Sequence, residues 1–299
     1  MLLGMGEELL QQVKEWAADP TKLPAIFDAL HDEAGRVIEG MRVESFDAQA
    51  PAYSKEELAR RLAGYEALTN GLCRAVATLM YWTDVAGARS ISRLVGRLAN
   101  SARRPAGVPV WLELDRYPAL LVLYAAGLGA VTGDREQLLG PLLAGRHSTD
   151  QQGRLQPNIR VLYAHNVIGE REARQLPGLE KNKTPASDYL VRLTRPWLAG
   201  LEYEDGPFER AFDRFEFLAG LVMYDIGREG QGSWAPVGRF AWRGEYGEKV
   251  WAEVAGEVES AGEAWPLLKA GLFGASGERL KESLKAYVAL VNQAAGHFW

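Results

Sequence analysis

Apolar residues recur at spacings of three and four through most of the chain, which predicts helices that each bury one face. Leu9, Leu10, Val13 and Trp16 open the series, and Ile26, Phe27, Leu30, Ala34, Val37 and Met41 form a second stripe after the breaks at Asp19-Pro20 and Pro24. Ser54-Lys-Glu-Glu57 fits a capping box, so a helix is expected from Lys55 through Leu58, Leu62 and Tyr65 toward Leu68. A more apolar helix follows from about Leu72 to Trp82. Ile91, Leu94, Val95 and Leu98 give an amphipathic helix between Ala88 and Asn100, and Pro118 fits the first turn of the next helix. That next run, Tyr117 to Thr132, is apolar throughout but shorter than the ~20 residues that cross a bilayer, so a buried helix is expected. The most regular stripe lies between Pro207 and Ile226, with Phe208, Ala211, Phe212, Phe215, Leu218, Ala219 and Val222. The tail returns to the same period through Val250, Val254 and Val258, then Leu280, Leu284, Tyr287, Val288 and Val291.

Between these stripes, residues 145–158 and 176–185 read as polar surface loops. Ser187-Asp188 is expected to open the helix after the second loop. The three glycines of Gly227–Gly232 predict a mobile, protease-sensitive connector. Trp234 to Trp242, interrupted by Pro236, reads as a short strand or extended segment. The expected fold is therefore all-α or nearly so: an array of packed helices and helical hairpins with a small irregular aromatic or β segment near 232–246. An N-terminal helical segment, 1–53, would precede a main helical domain, 54–299. Strands and helices do not alternate, which argues against a doubly wound nucleotide-binding sheet.

Composition narrows the chemistry. The chain has 34 Lys and Arg against 39 Asp and Glu, a net charge of -5 that gives no overall attraction for nucleic acid or an anionic membrane. Its one cysteine, Cys73, excludes disulfide scaffolds and multi-cysteine zinc sites, fits a reducing cytoplasmic setting, and sits in an apolar stripe as a buried thiol. Walker A, G-x-S-x-G and H-E-x-x-H sequences are absent. Gly230-Gln-Gly232-Ser-Trp-Ala235 has the spacing of a dinucleotide turn, but a helix precedes it and Pro236 follows, so a connector is expected. Trp82, Trp111 and Trp197 sit among apolar neighbours and are assigned to the core.

Two charge patterns are candidate sites. From Val85 to Leu112 there is no Asp or Glu, while Arg89, Arg93, Arg97, Arg103 and Arg104 fall inside that window. The first three repeat at i, i+4, i+8 and stack guanidinium groups along one helix edge. Such a stripe suits an acidic protein face or a phosphate, or it is neutralised internally by residues 1–70, which carry 13 acids and 7 bases. Nucleic acid is the weaker form of the phosphate reading. Glu209, Asp213 and Glu216, at i, i+4, i+7 on the most regular helix, would serve a divalent metal in an alternative reading, that of a metal-dependent nucleic-acid-processing or hydrolytic enzyme. A solvated acidic face is the commoner origin of that pattern. None of the four histidines, His31, His147, His165 and His297, has a second at metal-ligand spacing. His147, beside Ser148 and Asp150, is a general-base candidate only if the fold brings a nucleophile to it.

Four segments carry a resemblance: Tyr65-Glu-Ala-Leu68 leading to Tyr81-Trp82, Arg116-Tyr-Pro-Ala-Leu-Leu-Val-Leu-Tyr124, Phe212-Asp-Arg-Phe-Glu-Phe-Leu218, and Trp234-Ala-Pro-Val-Gly-Arg-Phe-Ala-Trp242. Together they resemble the helical C-terminal region of bacterial multidomain proteins that carry Schlafen/AlbA-type ATP-binding or sirtuin-like domains. The resemblance covers residues 55 to 245 and brings no catalytic motif. It implies an accessory or sensing role in defence against phage, next to a nucleotide-processing or sirtuin-like protein. The resulting expectation is a non-catalytic interaction or regulatory module with a protein partner, no cofactor and no membrane.

Overall fold

In the computed structural model, Ser54 is extended, with φ -145°, and its side chain accepts the Glu57 N–H at 3.1 Å. The longest helix starts at Lys55 for that reason. The Glu57 carboxylate does not reach back to complete the box, because Arg60 and Arg61 take it at 2.6–2.7 Å. The structure describes all residues except 1, 18, 43–45, 50–51, 102–103, 105, 202–204, 229–233, 244–248 and 297–299. Helices run in the order α1 (Leu2–Trp16), α2 (Leu23–Gly40), α3 (Lys55–Trp82), α4 (Val85–Ser101), α5 (Pro109–Leu114), α6 (Tyr117–Thr132) and α7 (Leu139–Ala144). A hairpin of β1 (Ser148–Thr149) and β2 (Leu155–Gln156) follows, antiparallel, with Ser148 opposite Gln156. Three single turns come next, α8 (Asn158–Val161), α9 (Ala164–Val167) and α10 (Glu170–Ala173). The chain ends with α11 (Pro185–Thr194), α12 (Asp205–Arg228), α13 (Val250–Ala261), α14 (Pro266–Lys269) and α15 (Gly277–Gly296). The fold is nearly all-α, and the hairpin is the one sheet among the described residues.

The centre of the molecule is α6, which buries every residue from Tyr117 to Val131. An element surrounded on all sides needs no polar face, which is why its sequence lacks an amphipathic period. The stretch Pro109–Thr132 is long and apolar enough to cross a membrane, yet its most apolar window is 94% buried inside the protein, which makes it core. Against α6 pack α3 on one side, α12 on another, and α4 and α7. The α3–α6 approach is set by Gly129, where a Cβ would run into the Ala77 carbonyl. Because backbone yields less readily than a side-chain end, Gly129→Ala is expected to cost about 1–3 kcal/mol. Urea melts check this; an unchanged midpoint would mean the two helices separate freely.

Residues before Ser54 join the same core: Leu9, Val13, Ile26, Leu30, Ala34 and Val37 are buried with the side chains of α3 and α4. The two helices expected, from Lys55 toward Leu68 and from about Leu72 to Trp82, are one unbroken helix. Gly71 serves a crossing there, since a Cβ on it would meet the Gly6 Cα at 2.6 Å. The polar loop 145–158 contains the β1–β2 hairpin. The helix after 176–185 opens at Pro185, two residues before the expected start, with proline in the first turn. The aromatic segment 234–243 is irregular and ends in a 3-10 turn, Arg239–Trp242. Gly227 and Arg228 complete α12, while the remainder of the glycine-rich connector lies outside the described residues, as do His297 and most of the dinucleotide-like motif.

Trp111 and Trp197 are buried as expected, but Trp82 is 55% exposed. It falls on the last turn of α3, beyond the end of the neighbouring helix, and rests edge-on against Tyr81 at 4.9 Å. Cys73 is a free, fully buried thiol whose pKa burial pushes up.

Candidate functional site

The arginine-rich window divides three ways. Arg104 turns inward: its Nε lies 2.8 Å from Asp115 Oδ2, and one Nη donates to the Met41 carbonyl at 2.9 Å. Asp115 is buried, also accepts from Tyr65 Oη at 2.8 Å, and has its pKa raised to about 6 by desolvation against these favourable partners. Arg97 leans on α2, where it donates to the His31 carbonyl at 2.7 Å. The His31 pKa is lowered by its burial and then by Arg97. Arg103 lies outside the described residues.

Arg89 and Arg93 are exposed on α4 and point into a groove of about 900 Å³. It is lined by Val85, Arg89 and Arg93 of α4, by Gln137, Gly140, Pro141 and Ala144 in and before α7, by His147, and by Pro266, Lys269 and Leu272 in and after α14. No Asp or Glu lines it. Arg93 donates to Ser90 Oγ at 3.0 Å, and neither Arg89, Arg93 nor Lys269 makes an ion pair with a described residue. Small residues shape the groove. A Cβ at Gly140 would meet that of Ala270 at 2.7 Å, so α7 and α14 touch, and Gly96 leaves room on α4 for the His147 backbone.

The His147 segment is built firmly. Asn100 Nδ2 donates to the His147 carbonyl at 2.9 Å, and Asn100 Oδ1 accepts from the Thr149 N–H at 2.8 Å. Buried Asn158 ties Ser92, Leu142 and Ser148 together beneath, with Ser148 Oγ donating to its Oδ1 at 2.8 Å. The His147 pKa is lowered by burial and then by Arg93. Ser148, its sequence neighbour, donates its hydroxyl to Asn158, and no Ser, Thr or Cys is among the described residues that line the groove.

The structure does not gather Glu209, Asp213 and Glu216 around one space. Glu209 is paired with Arg195 and Arg239 at 3.0 Å and with Arg243, and Asp213 lies 3.3 Å from Arg239 and 3.4 Å from Arg243. Among the described residues no group of three His, Cys, Asp or Glu side chains could hold a metal ion. Burial raises the Asp213 pKa to about 6, whereas for Glu209 the two arginines outweigh burial and lower it.

Glu216 occupies a different setting, which the sequence reading missed. It is buried between α6 and α11, where Tyr124 Oη donates to Oε1 at 2.9 Å and Ser187 Oγ to Oε2 at 2.5 Å. The Arg239 N–H donates to Ser187 Oγ at 3.0 Å and holds that hydroxyl in place. Desolvation raises the Glu216 pKa to about 8. A cavity of about 40 Å³ lies beside it, lined also by Glu170, His165, Phe215 and Gly238. That is room for one or two waters and no larger ligand. Phe215 and Phe217 flanking Glu216 are the signal that pointed to its burial. Comparison with family models, with curated proteins and with solved structures returned no match.

Proposed function

We propose that this chain is a non-catalytic binding module whose recognition site is the basic groove between α4, α7 and α14, and that it takes an acidic segment of a partner protein. One observation carries the reading: three cations from two helices meet in a concave space with no carboxylate in its lining. Like charges left together are unfavourable, and the compensation found for Arg97 and Arg104 inside the protein is not provided for Arg89, Arg93 or Lys269. An anion from outside would provide it. A protein partner also suits the exposed apolar side chains of Trp82 and Val85 at the α3–α4 corner, since Val85 itself lines the groove. The family resemblance directs the partner toward a nucleotide-processing protein of a bacterial defence system, and the lone buried thiol accords with a reducing cytoplasm.

The test is binding of a fluorescently labelled hexaglutamate peptide at low salt. The native protein is expected to bind it, with affinity falling as salt screens the charges. R89Q/R93Q/K269Q should weaken binding by at least tenfold and leave the melting temperature at or slightly above the native one, because these side chains support no internal ion pair and repel one another. Equal binding by the variant, or a melting temperature well below the native one, would refute the reading.

A further inference from the structure

We propose that the segment held in the groove carries phosphoserine or phosphothreonine, with the phosphate seated among Arg89, Arg93, Lys269 and His147. This rests on the reading of the groove as a binding site and names the chemistry of its occupant. Arg89 and Arg93 lie one turn apart on α4, about 6 Å, and Lys269 faces them from α14. An extended acidic peptide presents carboxylates of one face about 7 Å apart, each with a single charge. A phosphate monoester places close to two charges and three acceptor oxygens at one point. That is the group two planar guanidinium forks and an ammonium can grip together.

His147 adds a second, independent requirement. It is partly buried in the groove lining with its backbone fixed by Asn100. Arg93 on α4 is the charged group that acts on its ring, and Arg89 on α4, Lys269 on α14 and neutral Gln137 line the same groove, with no carboxylate in the lining. Burial and Arg93 favour the neutral ring in the empty groove. A dianion arriving beside it reverses that balance, so binding takes up a proton and the imidazolium becomes a further donor. A row of separate carboxylates reaching Arg89 and Lys269 has no need of this histidine.

The lining also distinguishes a peptide from a nucleotide. It contains no Phe, Tyr or Trp ring on which a base could stack. Pro141, Pro266, Val85, Ala144, Ala270 and Leu272 instead offer apolar surface against which a peptide backbone can lie.

The experiment uses the full chain and three immobilised peptide pools with randomised flanks around a fixed central phosphoserine, glutamate or serine, with AMP and inorganic phosphate as soluble competitors. The phosphoserine pool should be retained at least tenfold over the glutamate pool, and R93Q and K269Q should each abolish that preference. The NMR titration of the His147 ring should move to higher pH when a retained phosphopeptide is added, and H147Q should remove the proton uptake on binding at about pH 7.5, where the phosphate is already a dianion, while the protein melts as before. Equal retention of the glutamate pool would overturn the phosphate assignment and leave the acidic-segment reading intact. Competition by AMP or inorganic phosphate at the concentrations at which the best phosphopeptide competes would assign the groove to a small phosphoester and overturn the proposal. Retention of no pool would refute both readings.

Discussion

Phe215→Ala is expected to lower the unfolding free energy by about 3–5 kcal/mol, the usual cost of removing a fully buried aromatic ring. Phe215 is 1% exposed, its ring meets that of Tyr124 edge-on at 5.1 Å, and it lies over Gly127 of α6, where a Cβ would overlap it. The truncation leaves a void between α6 and α12 that neither helix can close, because each is held along its length by other contacts. The void also joins the small cavity beside Glu216, so water gains access to that carboxyl and its pKa should fall toward the ordinary range. Phe212→Ala, at 0% exposure and 5.9 Å from the same tyrosine ring, is expected to behave alike in stability. Denaturant melts decide it, and a loss below about 1 kcal/mol would mean that the α12 stripe does not form the core as described.

The stripe on α12 was legible because a helical period depends on one stretch of chain alone. The same holds for the cap at Ser54, for the burial of α6 and for Cys73. What escaped the sequence reading depends on distant segments meeting. The arginines at i, i+4, i+8 look equivalent on α4, yet Arg97 faces His31 of α2 while Arg89 and Arg93 face Lys269 of α14, and no local pattern ranks them. Trp82 has apolar neighbours in sequence, but exposure follows from where the partner helix stops. Glu209, Asp213 and Glu216 do lie along one face of α12. Arg239, contributed by a segment that follows the helix, inserts against Glu209 and Asp213, and the pairing that turns a solvated acidic row into an ion-pair cluster is therefore non-local. The change from an amphipathic to a more apolar stretch near residue 70 suggested two helices, whereas α3 is continuous there and the missing side chain of Gly71 lets α1 cross it.

Glu216 makes the largest expected contribution to the pH dependence of stability. With a native pKa of about 8 against an ordinary value near 4.5, the folded state binds a proton between those two pH values that the unfolded state lacks. The slope of unfolding free energy with pH has the sign of protons bound in the unfolded state minus those in the native state. It is therefore negative, and stability falls as pH rises through this window until the native carboxyl has itself ionised near pH 8. Asp115 and Asp213, each raised to about 6, act in the same direction only at lower pH, while the lowered pKa values of His31 and His147 act oppositely below about 6.5. Between about pH 6.5 and 8.5 the decline belongs mainly to Glu216, and it should amount to roughly 2 kcal/mol. Glu216→Gln keeps an oxygen to accept from Tyr124 and supplies an amide that can donate to Ser187 Oγ, so the packing survives while the titration disappears. That variant should show a nearly flat profile across the window and match or exceed the native protein at the alkaline end. Glu216→Ala should instead lose about 3 kcal/mol near pH 6.5, because it opens a void and leaves the Tyr124 and Ser187 hydroxyls without their acceptor, and that deficit should shrink toward about pH 8.5 as the native protein alone declines. Urea melts of the three proteins at several pH values separate these outcomes, and a glutamine variant that retains the native slope would assign the titration to another group.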